Sequence, residues 1–112
     1  MDEKNRYVIA AAEQGRFLES ADSEKANAAF DTMMAALAKL RSQVDRGEAI
    51  PAELLDHPDG WVRVSAATHL LPLRAEPACT TLEGLASGPC GELPFEAEMV
   101  LREWRAGRLK VP

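Results

Sequence analysis

Aromatic residues and cysteines are scarce in this chain of 112 residues. It has three Phe, two Trp, one Tyr and two Cys, although 46% of its residues are hydrophobic. Alanine and leucine supply most of the apolar bulk, which favours closely packed helices and argues against a β-sandwich rich in β-branched and aromatic residues. Cys79 and Cys90 are too few for a disulfide framework, so we expect each to be a small buried side chain.

Long apolar runs and an excess of positive charge are also missing. No stretch approaches the ~18 apolar residues of a membrane span, and the first residues lack the apolar run of a signal peptide, so we expect a cytoplasmic protein without a membrane partner. The net charge is -5, and residues 1 to 60 hold 12 acidic against 7 basic residues. Such a surface disfavours nucleic acid and attracts a basic protein, although a charge of this size also serves solubility alone.

The residue patterns of common catalytic and metal sites do not occur. His57 and His69 are 12 positions apart and have no paired cysteines, so a zinc ligand set is missing. There is no glycine-rich phosphate loop, and neither cysteine has an evident base with an orienting group. His57 with neighbouring aspartates suggests at most a weak metal contact. We predict no catalytic, cofactor-binding or metal-binding residues, and no enzyme activity.

Two helices are predicted in residues 1 to 45, each with the spacing of an amphipathic helix. The first runs from about residue 2 to 20, and an N-cap at Asp22 or Ser23 begins the second, which reaches about residue 43 before a break at Gly47. The expected core face of the first helix is Val8, Ala11, Ala12, Gly15 and Leu18, with Tyr7 and Phe17 at its margins. That of the second is Ala26, Phe30, Met33, Leu37, Leu40 and Val44.

Residues 49 to 107 are predicted to form the remaining helices. A short helix at 51 to 55 leads into a turn in which Pro58 and Gly60 reverse the chain, and Asp59 is the expected N-cap of a helix that ends near residue 71. Helices at 77 to 87 and 95 to 106 flank a loop rich in glycine and proline, and Gly107 is expected to end the last helix. The predicted core residues are Val62, Ala66, Leu70, Ala78, Leu82, Leu85, Ala97, Val100, Leu101 and Trp104.

The segment LLDHPDGWVRVSAATHLL, residues 54 to 71, resembles the helix-turn-helix unit of HEAT repeats. That family follows an apolar helix end with an Asp and Pro turn, Val-Arg, paired alanines and Leu. The matching residues are Leu54, Leu55, Asp56, Pro58, Asp59, Val62, Arg63, Ala66, Ala67 and Leu70. Gly60 departs from the family, which often has a second proline there, and should loosen the helix start. We also expect Arg63 to pair with Asp56 or Asp59 across the turn.

With residues 25 to 41 and 95 to 109, the whole chain is similar to small bacterial HEAT-like domains of unknown function. The resemblance implies an all-α fold: a HEAT-like α-α superhelical stack of about five to six helices in a single domain spanning residues 1 to 112. The HEAT-like unit itself would occupy about residues 50 to 86 within a HEAT-like segment at 49 to 107. Whether the two helices in residues 1 to 45 continue the stack is open.

Stacked helical repeats offer extended surfaces that usually bind other proteins. We therefore predict a non-catalytic protein-protein interaction module, and the bacterial resemblance suggests an immunity protein that binds and neutralises a basic toxin. The alternatives are a homo-oligomeric structural or regulatory domain, associating through the first helix or Trp61, and a small-ligand-binding domain near His57, His69 and Cys79.

Acidic residues around the predicted turn are the candidates for partner binding. Trp61 lies among them, and two interpretations of it are open: an exposed anchor for a partner, since tryptophan is enriched at binding hot spots, or a core residue between helices. The candidate partner-binding residues are Glu48, Glu53, Asp56, Asp59 and Trp61.

Overall fold

A computed structural model describes residues 2–42 and 48–111, and these residues form six α-helices and no strand. The helices are α1 (Glu3–Glu19), α2 (Ser23–Arg41), α3 (Ala49–Leu54), α4 (Gly60–Leu70), α5 (Ala75–Ala86) and α6 (Glu92–Arg105). The all-α prediction is confirmed. The chain divides into two compact units, Met1–Ile50 and Pro51–Pro112, which we call the first and second unit; the single domain stays a prediction. Among the described residues, no helix is both long and apolar enough to cross a bilayer.

The first unit is a hairpin of α1 and α2 joined by a very short connection. The N–H of Asp22 donates to the carbonyl of Phe17 (2.9 Å) and that of Ala21 to the carbonyl of Leu18 (3.1 Å), so α1 ends in a Schellman motif. Ala21 takes the left-handed conformation of this motif, with φ 58°. The side chain of Asp22 then accepts from the N–H of Lys25 and caps α2, as predicted.

The core of the first unit differs in part from the predicted stripes. Tyr7, placed at the margin, is fully buried, whereas Val8, Ala12 and Leu18 are only half-buried and Phe30 is 40% exposed. Small apolar residues occur on several sides of α1, so the apolar pattern of its sequence does not define a single buried face. The buried residues are Tyr7, Ala10, Ala11, Gly15, Ala26, Ala29, Met33, Ala36, Leu37 and Leu40. The predictions for Val44 and Gly47 lie outside the described residues.

The second unit contains α4, α5 and α6, which pack against one another. Its core follows the predicted stripes closely, and of the ten residues only Trp104 is half-buried rather than buried. The confirmed residues are Val62, Ala66, Leu70, Ala78, Leu82, Leu85, Ala97, Val100 and Leu101. Gly107, with φ 73°, ends α6 as predicted.

Three helices begin two or three residues earlier than predicted, for one common reason. Pro51, Pro77 and Pro94 each stand third in their helix, after two ordinary residues. The first amides of a helix have no partner within it, so proline is tolerated throughout the first turn and does not mark the first residue. The loop before α6 is correspondingly shorter, and Cys90 within it is exposed, contrary to the expected burial; Cys79 is half-buried.

Candidate partner-binding surface

The turn between α3 and α4 is fixed by its own polar groups. Asp59 Oδ1 accepts from the N–H of Trp61 at 2.9 Å, which confirms Asp59 as the N-cap of α4. The N–H of Asp59 donates to His57 Nδ1 at 3.0 Å, so the proton of a neutral His57 is on Nε2. The imidazole therefore has a structural use within the turn.

Arg63 closes the turn from the first half of α4. Its Nη1 donates to the carbonyl of His57 at 2.8 Å and to that of Pro58 at 3.3 Å. The guanidinium thus binds backbone carbonyls, rather than the carboxylates of Asp56 or Asp59 that the sequence suggested. One side chain thus ties two consecutive residues of the turn to α4, and the carboxylate of Asp56 stays outside this clamp.

The five sequence-predicted residues differ in accessibility. Glu53 and Asp56 are exposed, Glu48 and Asp59 are half-buried, and Trp61 is 5% exposed. The second interpretation of Trp61, a core residue, is the one that the structure bears out. Glu48 belongs to the first unit and the other four to the second. Within residues 2–42 and 48–111, the Asp56 side chain makes no hydrogen bond or ion pair.

The start of α6 lies beside this turn, a juxtaposition that the sequence analysis did not foresee. A Cβ atom on Gly60 would clash with the Leu93 side chain, so the first residues of α4 and α6 are in close approach. A side chain at position 60 would therefore require the Leu93 side chain to shift. The helix starts bring Asp56 and Asp59 to the same end of the second unit as Glu92, Phe95 and Glu96, and we call these five residues the acidic end.

Phe95 is the most exposed large apolar residue of the described chain, at 58%. The sequence analysis gave it no role, yet a signal was present: Phe95 falls on the side of α6 opposite the stripe of Ala97, Val100 and Leu101. An amphipathic helix places its off-stripe residues toward solvent. Phe95 was therefore predictable as a surface residue, although the approach of the α6 start to the turn was not.

Glu96 has an unusual electrostatic setting for a surface carboxylate. Partial burial raises its pKa above the ordinary range, and the charge of Glu92, one helical turn earlier, raises it further. No described side chain forms an ion pair with either glutamate. A cation placed beside the pair would relieve the repulsion and favour the ionised form of Glu96.

The cations of α6, by contrast, have acidic partners within the second unit. Arg102 binds Glu98 at 2.9 Å, Arg105 binds Glu83 at 3.2 Å and Arg108 binds Glu103. The first two pairs border an open groove of about 730 Å³ between α5 and α6. These ion pairs reduce the net positive charge that the arginines present to solvent.

No group of three or more His, Cys, Asp or Glu side chains in the described part of the chain is arranged to hold a metal ion. Comparison with protein-family models, curated proteins and solved structures finds no match for this chain. The resemblance of residues 54 to 71 to HEAT repeats stays a prediction made from the residues themselves.

Proposed function

We propose that this chain is a non-catalytic protein-binding module whose partner is a basic protein. The acidic end of the second unit is the proposed binding surface. In its most specific form the proposal is a cytoplasmic bacterial immunity protein that neutralises a basic toxin, and this form rests on the HEAT-like resemblance alone.

The observation that carries the proposal is the exposed carboxylate of Asp56, which lies on a turn whose backbone is ordered by hydrogen bonds. Residues 47 to 62 contain four acidic residues and neither Lys nor Arg, and the Asp56 side chain makes no hydrogen bond or ion pair with any described residue. The Asp59 cap and the Arg63 clamp hold the turn in one conformation. An ordered turn backbone favours binding, because less conformational entropy is lost when the partner docks than with a mobile loop.

Phe95 supplies the apolar contact that an interface usually requires. Protein interfaces commonly combine an apolar centre with a polar rim, and a few residues contribute most of the binding free energy. Phe95 exposes more than half of its surface beside Glu92 and Glu96. A partner segment with an apolar side chain flanked by Lys or Arg matches this arrangement, and the charges would also speed its association.

The test begins with capture of partners from a lysate of the source cells by the full chain and by the variant Asp56→Lys. Asp31→Lys is the matched control, because Asp31 is an exposed carboxylate on α2 without a described contact and the charge change is identical. A captured protein is then purified, and its Kd is measured by calorimetry at several salt concentrations.

We expect a basic partner whose affinity falls with salt and weakens at least about tenfold with Asp56→Lys but not with Asp31→Lys. Phe95→Ser should weaken it as well. If the affinity of every captured partner is unchanged by both Asp56→Lys and Phe95→Ser, the acidic end is not the binding surface. For the immunity form, the purified chain must also inhibit the toxic activity of that partner.

A further inference from the structure

A surface groove runs along the seam between α1 and α2 in the first unit. One part, of about 150 Å³, is lined by Arg6, Ile9 and Glu13 and has the small side chains of Ala10 and Ala29 at its base. It continues past Glu13 into a second part of about 220 Å³. The groove thus has a narrow apolar base with a cation on one side of Ile9 and a carboxylate on the other.

Ile9 is an exposed apolar residue on a face of α1 that is otherwise polar. It is 44% exposed and lies on the side of α1 opposite the buried residues Tyr7 and Ala11. Glu13, one turn further along, is exposed and makes no side-chain ion pair or hydrogen bond with any described residue. Arg6 contacts Glu3 at 3.2 Å, but 47% of its side chain remains exposed. A guanidinium has five N–H donors and can bind a second carboxylate.

Two copies of α1 placed antiparallel would present complementary residues to each other along this groove. A two-fold axis between Ile9 and Ala10 would place Arg6 of one copy opposite Glu13 of the other, and Glu13 opposite Arg6. The same axis places each Ile9 over the Ala10 of the other copy, a large side chain over a small one.

We infer that this groove is the interface of a two-fold symmetric dimer in which two α1 helices pack antiparallel. An interface of this symmetry uses the same patch on both copies, so its residues must complement themselves. Every position from Arg6 to Glu13 that borders the groove on α1 satisfies this condition. Small residues at the centre allow the two helices to approach closely.

The test is a charge-exchange experiment on the full chain. We expect the unmodified chain to show a concentration-dependent monomer–dimer equilibrium in analytical ultracentrifugation. Arg6→Glu and Glu13→Arg should each weaken the dimer at least about tenfold, because each places like charges opposite each other twice. The double variant R6E/E13R should restore it. Asp31→Arg, a reversal outside the groove, should leave the equilibrium unchanged.

A mixture of the two single variants gives the sharpest readout. Arg6→Glu carries two carboxylates at the paired positions and Glu13→Arg carries two cations, so their heterodimer is complementary although each homodimer is repelled. With one variant labelled with ¹⁵N, native mass spectrometry should show heterodimers in excess of both homodimers. Misfolding cannot produce that preference. A chain that stays monomeric at all concentrations, or a dimer with no preference for the mixed pair, overturns the inference.

Discussion

The cores of the two units differ in what their helices contribute. In the first unit α1 buries mainly small residues, and the large aliphatic core residues Met33, Leu37 and Leu40 all come from α2. In the first unit α1 and α2 meet through Ala10, Ala11 and Gly15, and one aromatic residue, Tyr7, is fully buried. In the second unit the helices meet through larger aliphatic side chains, such as Leu70 and Leu82. A contact between small residues leaves little room for added volume, whereas a contact between large residues is sensitive to lost volume. The units should therefore respond differently to opposite kinds of substitution.

Truncation in the core of the second unit should have the largest effect. Leu82 has no exposed surface, so Leu82→Ala leaves a cavity and should lower the free energy of unfolding by about 2–5 kcal/mol. Both tryptophans, Trp61 and Trp104, lie in this unit, and urea denaturation followed by their fluorescence measures the loss. Leu82→Met, which keeps the volume, is the control. A loss below that of the control would show that Leu82 is not tightly packed.

The buried tyrosine should make the first unit sensitive to alkaline pH. Burial raises the pKa of Tyr7 far above its ordinary value, and the nearby charge of Arg41 only partly opposes this. Since the unfolded chain releases this proton above about pH 10, the stability that protonated Tyr7 contributes is complete below that pH. Above it, stability should fall by about 1.4 kcal/mol per pH unit.

Tyrosinate absorbance provides the measurement, because Tyr7 is the one tyrosine of the chain. We expect the absorbance to rise together with loss of helical circular dichroism, rather than before it. Tyr7→Phe should remove this part of the pH dependence. An ordinary titration curve in the folded chain would contradict the burial of the hydroxyl.

Enlargement should be the damaging change in the first unit. Ala11 is 1% exposed, and Ala11→Leu adds volume to the contact between α1 and α2. Overpacking of this kind typically costs about 1–3 kcal/mol. Ala35→Leu, at an exposed position of α2, is the matched control and should be nearly neutral. Thermal unfolding by circular dichroism compares the two, and equal melting temperatures would refute the close contact.

The helix ends provide the most direct comparison between the units, and the effects expected there are the smallest. Both α1 and α6 end in a Schellman motif, but the left-handed position is Ala21 in the first and Gly107 in the second. An L side chain is disfavoured there by about 1–2 kcal/mol, partly offset by the entropy of a flexible glycine. Ala21→Gly should therefore stabilise the chain and Gly107→Ala destabilise it, each by about 1 kcal/mol. Urea denaturation measures both changes, and shifts of the urea midpoint in the same direction for the two substitutions would contradict this assignment.

Prediction from sequence succeeded where large apolar residues and turn residues coincide. In the second unit, Asp59 and Gly107 fixed two helix ends, and Val62 and Leu70 identified a single buried face. In α1 the apolar pattern did not, because the five consecutive apolar residues Val8 to Ala12 point to all sides of the helix. The burial of Tyr7 depends on which of several similar faces meets α2, and that choice is made by tertiary packing.

The candidate site was predictable only in its local part. The acidic turn and its cap follow from residues within a few positions of Asp59. The contribution of α6 depends on the contact between Leu93 and Gly60, which are 33 positions apart and carry no local signal. Likewise, the carbonyl partners of Arg63 depend on the path of the turn backbone, and the sequence suggested only that a cation near two aspartates would bind them.

The contact between Gly60 and Leu93 also constrains how this chain can diverge. A residue with a side chain at position 60 requires the Leu93 side chain to move or to become smaller. The two positions are therefore expected to vary together among descendants of this sequence: a proline or alanine at 60 should accompany a shorter residue at 93. Glycine at 60 with leucine at 93 is one of the compatible pairs, and exchanging either residue alone should be selected against.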